Sequence, residues 1–314
     1  MSNGIVLDKP GKASYESPAS FRIIVLIRTV SKIVERIITS RLLLAARSKG
    51  MLNPNQCGSL PGLSTCNAVL TLFNSVKALQ RPCRKVSSLF LNIKAGFDKL
   101  DNSTLVRILR EGGIPRYLVS WVLSFLGEWS CTLVFQGAPG TPAPVNFGAA
   151  QGSPISTVLF LLYVSLLHFK VPRGLMISDV DNIALSAASP ASRVNIRRLQ
   201  ARFEKLEAKA LSTGVSISVA KTELIHRRTP SQRNSATCLS PIQIKGDLFR
   251  PRDLLRFSGT GSLLLLTPPP PGRTPDLPTT KTGSPSCCLL PTGDSASDST
   301  PPRILPLPFC QPSA

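Results

Sequence analysis

Two separate segments constrain the fold most strongly, because each joins apolar, strand-like residues to a polar end. Residues 86–91 (VSSLFL) form a short apolar run that leads into Asn92, which predicts a buried strand. Residues 176–188 have two apolar arms around the polar turn DVDN, which predicts a β-hairpin. Taken alone, the two segments are equally typical of an ordinary sheet core with an Asp- and Asn-rich turn.

The ends of these segments could share a metal site. An acidic residue at the end of a buried strand and another in the turn of a separate hairpin can converge on divalent ions, which prefer anionic oxygen ligands. Two such ions, roughly 3.5 to 4 Å apart, clamp the attacking and leaving oxygens in nucleotidyl transfer. Here the strand ends at Asn92 and the turn contains Asp181 and Asn182. The pattern therefore predicts the geometry of such a site with much of its charge missing.

Further motifs lie in order along the chain, at residues 7–12, 55–62, 113–126, 151–156 and 221–226 (LDKPGK, NQCGSLPG, GIPRYLVSWVLSFL, QGSPIS and KTELIH). Any one of them is weak, but the ordered set is hard to obtain by chance. Over about residues 5–255 the chain resembles the reverse transcriptases of non-LTR (LINE-type) retrotransposons. The resemblance implies an α+β fold with the fingers and palm of a right-hand polymerase, without its thumb.

The resemblance places the family's metal-binding carboxylates at Asn92, Asp181 and Asn182, which would be catalytic with Mg²⁺ in a two-metal site. Lys221 would be the acid that protonates the leaving pyrophosphate, although a lone lysine is more often a solvated surface charge. Asp179 stands where the family usually has an aromatic residue. Strand periodicity would put Asp179 and Asp181 on one face, so Asp179 could be a substitute metal ligand.

A second group of residues is implied to bind the incoming nucleotide. This group consists of Lys9, Arg22, Phe97, Gln151 and Gly152. Phe97 would be a steric gate against a ribose 2′-hydroxyl, and core packing beside the strand is the alternative. In the loop at Gln151 and Gly152, glycine permits a close approach of the backbone. The implied partners are an RNA template, a DNA primer and a deoxynucleoside triphosphate.

Departures from the family pattern bear on activity. Asparagine is neutral and offers one carbonyl oxygen where aspartate offers two anionic ones. Three aspartates would bring a charge of −3 to two Mg²⁺ ions, whereas Asn92, Asp181 and Asn182 bring −1, which weakens metal binding by roughly several kcal/mol. Asn67 also stands where aspartate is usual. We therefore expect a catalytically impaired reverse transcriptase. Three hypotheses follow: a working RNA-directed DNA polymerase, a catalytically dead nucleic-acid-binding remnant of a mobile element, or a misfolded or untranslated relic.

Charge favours a nucleic-acid partner. The net charge is +20 and the isoelectric point is about 10.3, and lysine and arginine contacts to phosphates supply the sequence-independent part of nucleic-acid binding. Basic charge spread over the surface for solubility is the alternative. Only 6% of residues are aromatic, which argues against binding by base stacking alone.

Cysteine spacing and hydropathy indicate the cellular setting. The eight cysteines show no paired C-x-x-C spacing, so we expect reduced thiols without disulfide partners in an intracellular protein of the nucleus or cytoplasm. The N-terminus lacks a signal-peptide pattern. The apolar run at 158–167 is too short to span a bilayer and predicts a buried helix, so no membrane partner is expected.

Periodicity predicts the remaining elements and a boundary. Apolar residues at helical spacing predict helices around 30–38, 68–76 and 199–210, and apolar runs predict strands at 131–135 and 215–219. We expect a fingers and palm domain over 1–255. Residues 256–314 hold thirteen of the 28 prolines. This composition predicts a disordered tail, either out of frame or a proline-rich ligand segment.

Overall fold

The computed structural model describes residues 2–11, 14–80, 85–94, 96–97, 100–127, 129–145, 148–227, 240–252, 255–256 and 263–264. Its helices are α1 (Thr29–Ser48), α2 (Thr65–Leu79), α3 (Asn102–Glu111), α4 (Arg116–Leu126), α5 (Pro154–Ser165) and α6 (Ser192–Ser212), with single 3₁₀ turns at Pro18–Ser20 and Val219–Lys221. Its strands are β1 (Ser2–Asp8), β2 (Phe21–Leu26), β3 (Gln56–Cys57), β4 (Lys85–Lys94), β5 (Trp129–Phe135), β6 (Ala138–Val145), β7 (Gly174–Asp179), β8 (Asn182–Ser189), β9 (Ser216–Ile217), β10 (Glu223–Arg227), β11 (Ile242–Ile244), β12 (Asp247–Phe249), β13 (Leu255–Arg256) and β14 (Leu263–Leu264).

The largest sheet in the described residues is mixed and has the order β10-β4-β8-β7-β3. Strand β4 lies between β10 and β8 and is antiparallel to both, and β9 continues the sheet beside the end of β4. Side chains alternate across a strand. Leu89, Leu91 and Ile93 therefore join the larger core with α3 to α6, whereas Phe90 packs with α2 on the other face. This burial on both faces explains the nearly continuous apolar run of β4.

A second sheet has the order β2-β1-β5-β6. Its central pair, β1 and β5, is parallel, and the outer strands are antiparallel to their neighbours. Strand β6 is an edge strand in which Pro139, Pro142 and Pro144 face residues of β5. Proline has no N–H to donate, so it is compatible with an edge position. The prolines limit the pairing of a further strand on this edge.

Most of the predicted elements are confirmed. Helices α1, α2 and α6 cover the three predicted helical regions, β4 and the β7–β8 hairpin form as expected, and β5 contains the strand predicted at 131–135. The buried helix is α5, which begins at Pro154, before the predicted 158. The mixed α and β class of the fold is confirmed as well. The strand predicted at 215–219 is wrong in its second half, because only Ser216–Ile217 pairs with β4 before the chain turns into a 3₁₀ helix.

Helix α1 differs from its sequence pattern in the face that it buries. Val30, Ile33, Val34 and Ile37 repeat at helical spacing, but all four are exposed. The buried residues of α1 are Glu35, Leu42, Leu43 and Ala46. The helix packs against α5 mainly through its second half. Periodicity therefore identified the helix correctly but did not identify its packed face.

The predicted disordered tail, residues 256–314, lies outside the described residues except for parts of the short β13–β14 pair. The boundary at 255 and the missing thumb stay predictions. Among the described helices, none combines the length and the apolar character that a membrane crossing requires.

Candidate active site

The end of β4 and the turn of the β7–β8 hairpin meet side by side. Asn92 is directly opposite Asn182 in the register of β4 and β8. The backbone N–H of Ile93 donates to the carbonyl oxygen of Asp181 at 2.8 Å, which ties the turn to the strand. Val180 begins the two-residue turn with a φ of 53°, a conformation that a β-branched residue rarely adopts. The turn is therefore held in place by its surroundings.

Three side chains at this junction bond to one another. The Asn92 Nδ2 group donates to Asp181 Oδ2 at 2.9 Å and to Asn182 Oδ1 at 3.1 Å. The Asn182 Nδ2 group donates to the other Asp181 oxygen, Oδ1, at 2.9 Å. Lys221 completes the group, because its Nζ donates to Asn92 Oδ1 at 3.2 Å. We call these four residues the Asn92 cluster. Sequence reasoning predicted all four, and the structure brings them together; their catalytic roles stay predictions.

The Asn92 cluster does not fit a two-metal site. Its only carboxylate, Asp181, accepts an amide N–H group on each oxygen, where metal ions would have to bind. Rotating the Asn92 amide would free one oxygen, but it would place the amide NH₂ against the Lys221 ammonium. Across the described part of the chain, no group of three or more His, Cys, Asp or Glu residues could hold a metal ion. The donor set therefore has amide donors where a pair of Mg²⁺ ions needs anionic acceptors.

Asp179 lies beside the Asn92 cluster, but its carboxylate is turned toward Thr65. It ends β7, opposite Asn182, and its side chain is 2% exposed. Burial raises the pKa of its carboxyl; a hydrogen bond with Thr65, at the start of α2, lowers the pKa, and the Asp181 charge raises it further. The space next to Oδ1 is closed by Gly58, where an added Cβ would collide with that oxygen. Val180 and Asp181 form a turn and not a continued strand, so the strand periodicity that linked Asp179 with Asp181 does not apply.

Lys221 owes its position to the backbone around it. The N–H of Ser218 donates to the carbonyl oxygen of Asn92 at 2.8 Å, and the 3₁₀ turn Val219–Lys221 follows directly. The β10 strand then runs along β4. The 3₁₀ turn thus connects β9 and β10, which both pair with β4, and it directs the Lys221 ammonium group at the Asn92 cluster.

Phe97 packs against the core. Its ring lies 4.8 Å from the ring of Phe160, centroid to centroid, and its carbonyl accepts from Ala149 N at 2.9 Å. Gly96 allows this approach, since a Cβ there would lie 2.6 Å from the Phe160 ring. These contacts favour the core-packing alternative, and the steric-gate role stays a prediction.

The loop at Gln151 and Gly152 lies against the free edge of β2. The N–H of Val25 donates to the carbonyl oxygen of Gln151 at 2.8 Å. Gly152 has a φ of 120°, and a Cβ on it would lie 2.7 Å from the Val25 carbonyl oxygen. Glycine is therefore required here for a close approach to the protein's own backbone.

The remaining predicted nucleotide-binding residues lie on the β1–β2 hairpin. Arg22 is exposed on β2, opposite Leu7. The backbone of Lys9 is held by bonds to Ser20 and Tyr15 at 2.8 and 2.9 Å. Gln151 and Gly152 contact β2 through Val25, so the hairpin and the loop form one surface region.

Sequence reasoning assigned no role to Glu35, which the structure buries. It is 5% exposed in α1 and accepts a hydrogen bond from the Ser153 hydroxyl at the start of α5. Burial raises the pKa of its carboxyl, and the Ser153 bond and the Lys32 charge lower it in part. The signal that could have found it is that Glu35 is the single acidic residue of α1, although surface positions produce the same pattern.

The fold is similar to that of two solved telomerases. The telomerase of Candida tropicalis, solved with a fragment of telomeric RNA, matches 77% of this chain and 42% of that chain with a TM-score of 0.50 and 12% identity. The telomerase of Candida albicans, also solved with such a fragment, matches 80% of this chain and 44% of its own with a TM-score of 0.50 and 12% identity.

The chain belongs to the reverse transcriptase (RNA-dependent DNA polymerase) family, whose model matches residues 7–247. Similar proteins include a probable RNA-directed DNA polymerase from transposon X-element of Drosophila melanogaster, 28% identical over 158 residues (50% of this chain, 17% of that protein). The corresponding protein from transposon BS is 26% identical over 212 residues (65% and 23%). The Pol polyprotein from type-1 retrotransposable element R2 of Popillia japonica is 26% identical over 154 residues (48% and 21%). The matched regions cover about a fifth of these relatives, and the non-LTR resemblance is confirmed.

Proposed function

We propose that this reverse transcriptase domain binds a template and primer but has lost most or all of its two-metal polymerase chemistry. The observation that carries the proposal is the direction of the hydrogen bonds at Asp181, both of whose oxygens accept from asparagine amides. In this arrangement Asp181 is satisfied by the protein itself. A second carboxylate, which nucleotidyl transfer by two ions needs, does not face the site.

The charge deficit supports the same conclusion. A pair of unit charges at about 4 Å is worth roughly 4 kcal/mol at an effective dielectric constant near 20, and a divalent ion about doubles this for each carboxylate. Two carboxylates are replaced here by amides, at Asn92 and Asn182. Even after a large discount for hydration, metal binding weakens by several kcal/mol, and each 1.4 kcal/mol is about tenfold in a binding constant or rate.

The proposed partners are nucleic acids. The net charge of +20 favours phosphate contacts, and two telomerases of similar fold were solved with a fragment of telomeric RNA, which supports a template partner. We propose an RNA template, a DNA primer and a deoxynucleoside triphosphate as the ligands that the ancestral activity used, with Mg²⁺ as its ion. Lys9, Arg22, Phe97, Gln151 and Gly152 would contact the nucleotide, and Lys221 would act beside it.

A working polymerase is the second candidate, and one observation favours it. Asp179 lies at the end of β7 directly opposite Asn182. Rotation of its carboxylate away from Thr65 would bring a second anionic group toward Asp181. This candidate predicts Mg²⁺- or Mn²⁺-dependent extension by the unaltered chain, and the loss of extension in Asp179→Asn.

Primer extension on an RNA template tests the proposal. The full chain is assayed with Mg²⁺ or Mn²⁺ beside the double variant Asn92→Asp, Asn182→Asp, with binding of the same primed template measured by fluorescence anisotropy. We expect salt-sensitive binding by both proteins and extension by the double variant alone. Extension by the unaltered chain at a rate near that of the double variant would refute the proposed loss of polymerase activity. Absence of binding to the primed template would overturn the proposal as a whole.

A further inference from the structure

Glu35 is the single acidic residue of α1, and it is buried. Its carboxylate is buried between α1 and the start of α5 and accepts the Ser153 hydroxyl hydrogen. Ser153 is the N-cap residue of α5, yet its side chain makes no capping bond to its own helix. The hydroxyl, which in an N-cap usually accepts from the first turn, is instead directed as a donor to Glu35. Helix α1 thereby bonds to the residue that ends the Gln151 loop.

The Gln151–Ser153 loop is held at each of its three residues. The Gln151 carbonyl accepts from Val25 N at 2.8 Å, and Gly152 lies against the Val25 carbonyl without a Cβ between them. At Ser153 the hydroxyl is fixed by Glu35. The first two contacts are to the backbone of β2 and involve no side chain of the loop. The Glu35 contact is thus the one side-chain anchor of the loop that we identify in the described residues.

Electrostatics supports this anchoring. The first turn of α5 has no acidic residue of its own, and negative charge is favourable near the N-terminus of a helix. Glu35 supplies a carboxylate there from another helix. Lys32, one turn earlier in α1, provides a compensating charge.

We propose that Glu35 is a positioning residue: through Ser153 it fixes the Gln151–Ser153 loop against β2 in the geometry that orients an incoming nucleotide. The role in orienting a nucleotide rests on the proposed function. The fixing of the loop against β2 is measurable without catalysis.

Amide hydrogen exchange at Val25 measures the docking of the loop, since this N–H is bonded to Gln151. Glu35→Leu removes the acceptor at similar volume, Glu35→Gln keeps an acceptor oxygen, and Ser153→Ala removes the donor. We expect exchange at Val25 to become about tenfold faster or more in Glu35→Leu and in Ser153→Ala, and to stay near the original rate in Glu35→Gln, because a tenfold change corresponds to the loss of one modest hydrogen bond.

Arg36→Leu is the matched control, because Arg36 is the next residue of α1 and is exposed. It should leave exchange at Val25 unchanged. Exchange at Leu89, in the centre of β4, reports whether a variant has lost global stability. If Glu35→Leu does not fold, Ser153→Ala decides the matter. Unchanged exchange at Val25 in a folded Glu35→Leu or Ser153→Ala protein would overturn the proposal, as would a tenfold increase in Glu35→Gln.

The nucleotide part is tested in the Asn92→Asp, Asn182→Asp background. There, adding Glu35→Leu should raise KM for the nucleotide about tenfold with a much smaller change in kcat, and Glu35→Gln should restore KM. Faster exchange at Val25 with an unchanged KM would contradict the nucleotide role. If the double variant does not extend a primer at all, the part of the proposed function that traces the lost chemistry to Asn92 and Asn182 fails, and the exchange at Val25 still decides the role of Glu35 in the loop.

Discussion

At Asp181 the hydrogen bonds come from two amide groups, at positions where the family resemblance predicts carboxylates. Asn92 and Asn182 each present an NH₂ group to it. The sequence predicted which residues meet, because strand register and the hairpin turn fix their backbones. It did not predict how the amides orient, since each Asn could present oxygen or nitrogen. That orientation depends on Lys221, which bonds the Asn92 oxygen from a distant part of the chain.

Changing Asn92 alone to aspartate should destabilise the protein when divalent ions are removed. The substitution abolishes the two bonds that Nδ2 donates and sets a carboxylate against Asp181, while a new charge pair with Lys221 offsets part of the loss. We expect a decrease of about 1 to 3 kcal/mol in the free energy of unfolding. Urea denaturation with a chelator measures it, and millimolar Mg²⁺ should restore part of the stability. An unchanged midpoint with the chelator would contradict this reading of the cluster.

Asn67→Asp is the matched control. It makes the same substitution at an asparagine whose side-chain oxygen accepts a hydrogen bond, whereas Asn92 donates two through its amide nitrogen. Asn67 Oδ1 accepts from the backbone N–H of Ser64 at 2.8 Å in the first turn of α2. An aspartate keeps this bond and adds negative charge at a helix N-terminus. We expect a gain of about 0.3 to 1 kcal/mol, independent of Mg²⁺.

His168 should make stability depend on pH. Burial, followed by the nearby Lys209 charge, lowers the pKa of His168 from 6.5 to about 4, and its Nε2 lies 2.9 Å from Ser178 Oγ. The unfolded chain therefore binds a proton in a range where the native protein does not. The stabilising contribution is complete above about pH 6.5 and is lost as the pH falls toward 4, by up to about 3 kcal/mol.

His168→Gln should remove this part of the pH dependence. Urea denaturation at pH 7 and pH 4.5 compares the two proteins, and the difference between them isolates His168 from other titrating groups such as Glu35 and Asp179, whose raised pKa values act in the opposite sense. Equal slopes of unfolding free energy against pH in the two proteins would show that His168 titrates normally.

At the scale of elements, the loop before α5 joins the two sheets. The Gln151–Ser153 loop bonds to β2 in one sheet and leads into α5, which packs under the other. The β2 edge would otherwise present unpaired backbone groups, and the loop covers one of them. Contact between the loop and β2 depends on the absence of a side chain at Gly152.

Gly152→Ala should separate the loop from β2. Its Cβ would lie 2.7 Å from the Val25 carbonyl oxygen, so we expect amide exchange at Val25 to accelerate by about tenfold or more. Gly62→Ala is the control, since Gly62 also has a positive φ, of 79°, but nothing lies within 4 Å of an added Cβ. It should cost about 1 kcal/mol of stability without changing exchange at Val25. Equal exchange in both variants would contradict the close contact.

The elements that sequence reasoning found are those with a strong period. Helices α2 and α6 bury the residues that repeat at helical spacing, and β4 is a long apolar run. Strand β6 could not be found this way, because its sequence APGTPAPV has three prolines and reads as a loop. It forms because it is an edge strand, which is a property of the sheet and not of the segment. Helix α1 likewise shows that a periodic apolar stripe can remain exposed when other residues make the packing contacts.

At the scale of the whole molecule, the net charge predicts nucleic-acid binding independently of the fold. The charge of +20 predicts affinity for phosphates without sequence preference. Binding to a primed RNA template should therefore weaken steeply between low and physiological salt. The Asn92→Asp, Asn182→Asp variant should show the same salt slope, since these positions are not cationic. A flat salt dependence, measured by fluorescence anisotropy, would contradict an electrostatic binding surface.

Counting bound manganese by electron paramagnetic resonance tests the loss of the two-metal site, because Mn²⁺ binds where Mg²⁺ does and its free and bound forms give distinct signals. We expect the unaltered chain to bind no pair of Mn²⁺ ions at millimolar concentration, whereas Asn92→Asp, Asn182→Asp should bind two ions that couple to each other. Two coupled ions in the unaltered chain would show that the site is intact, since the amides around Asp181 would then have turned their oxygens toward a working metal site.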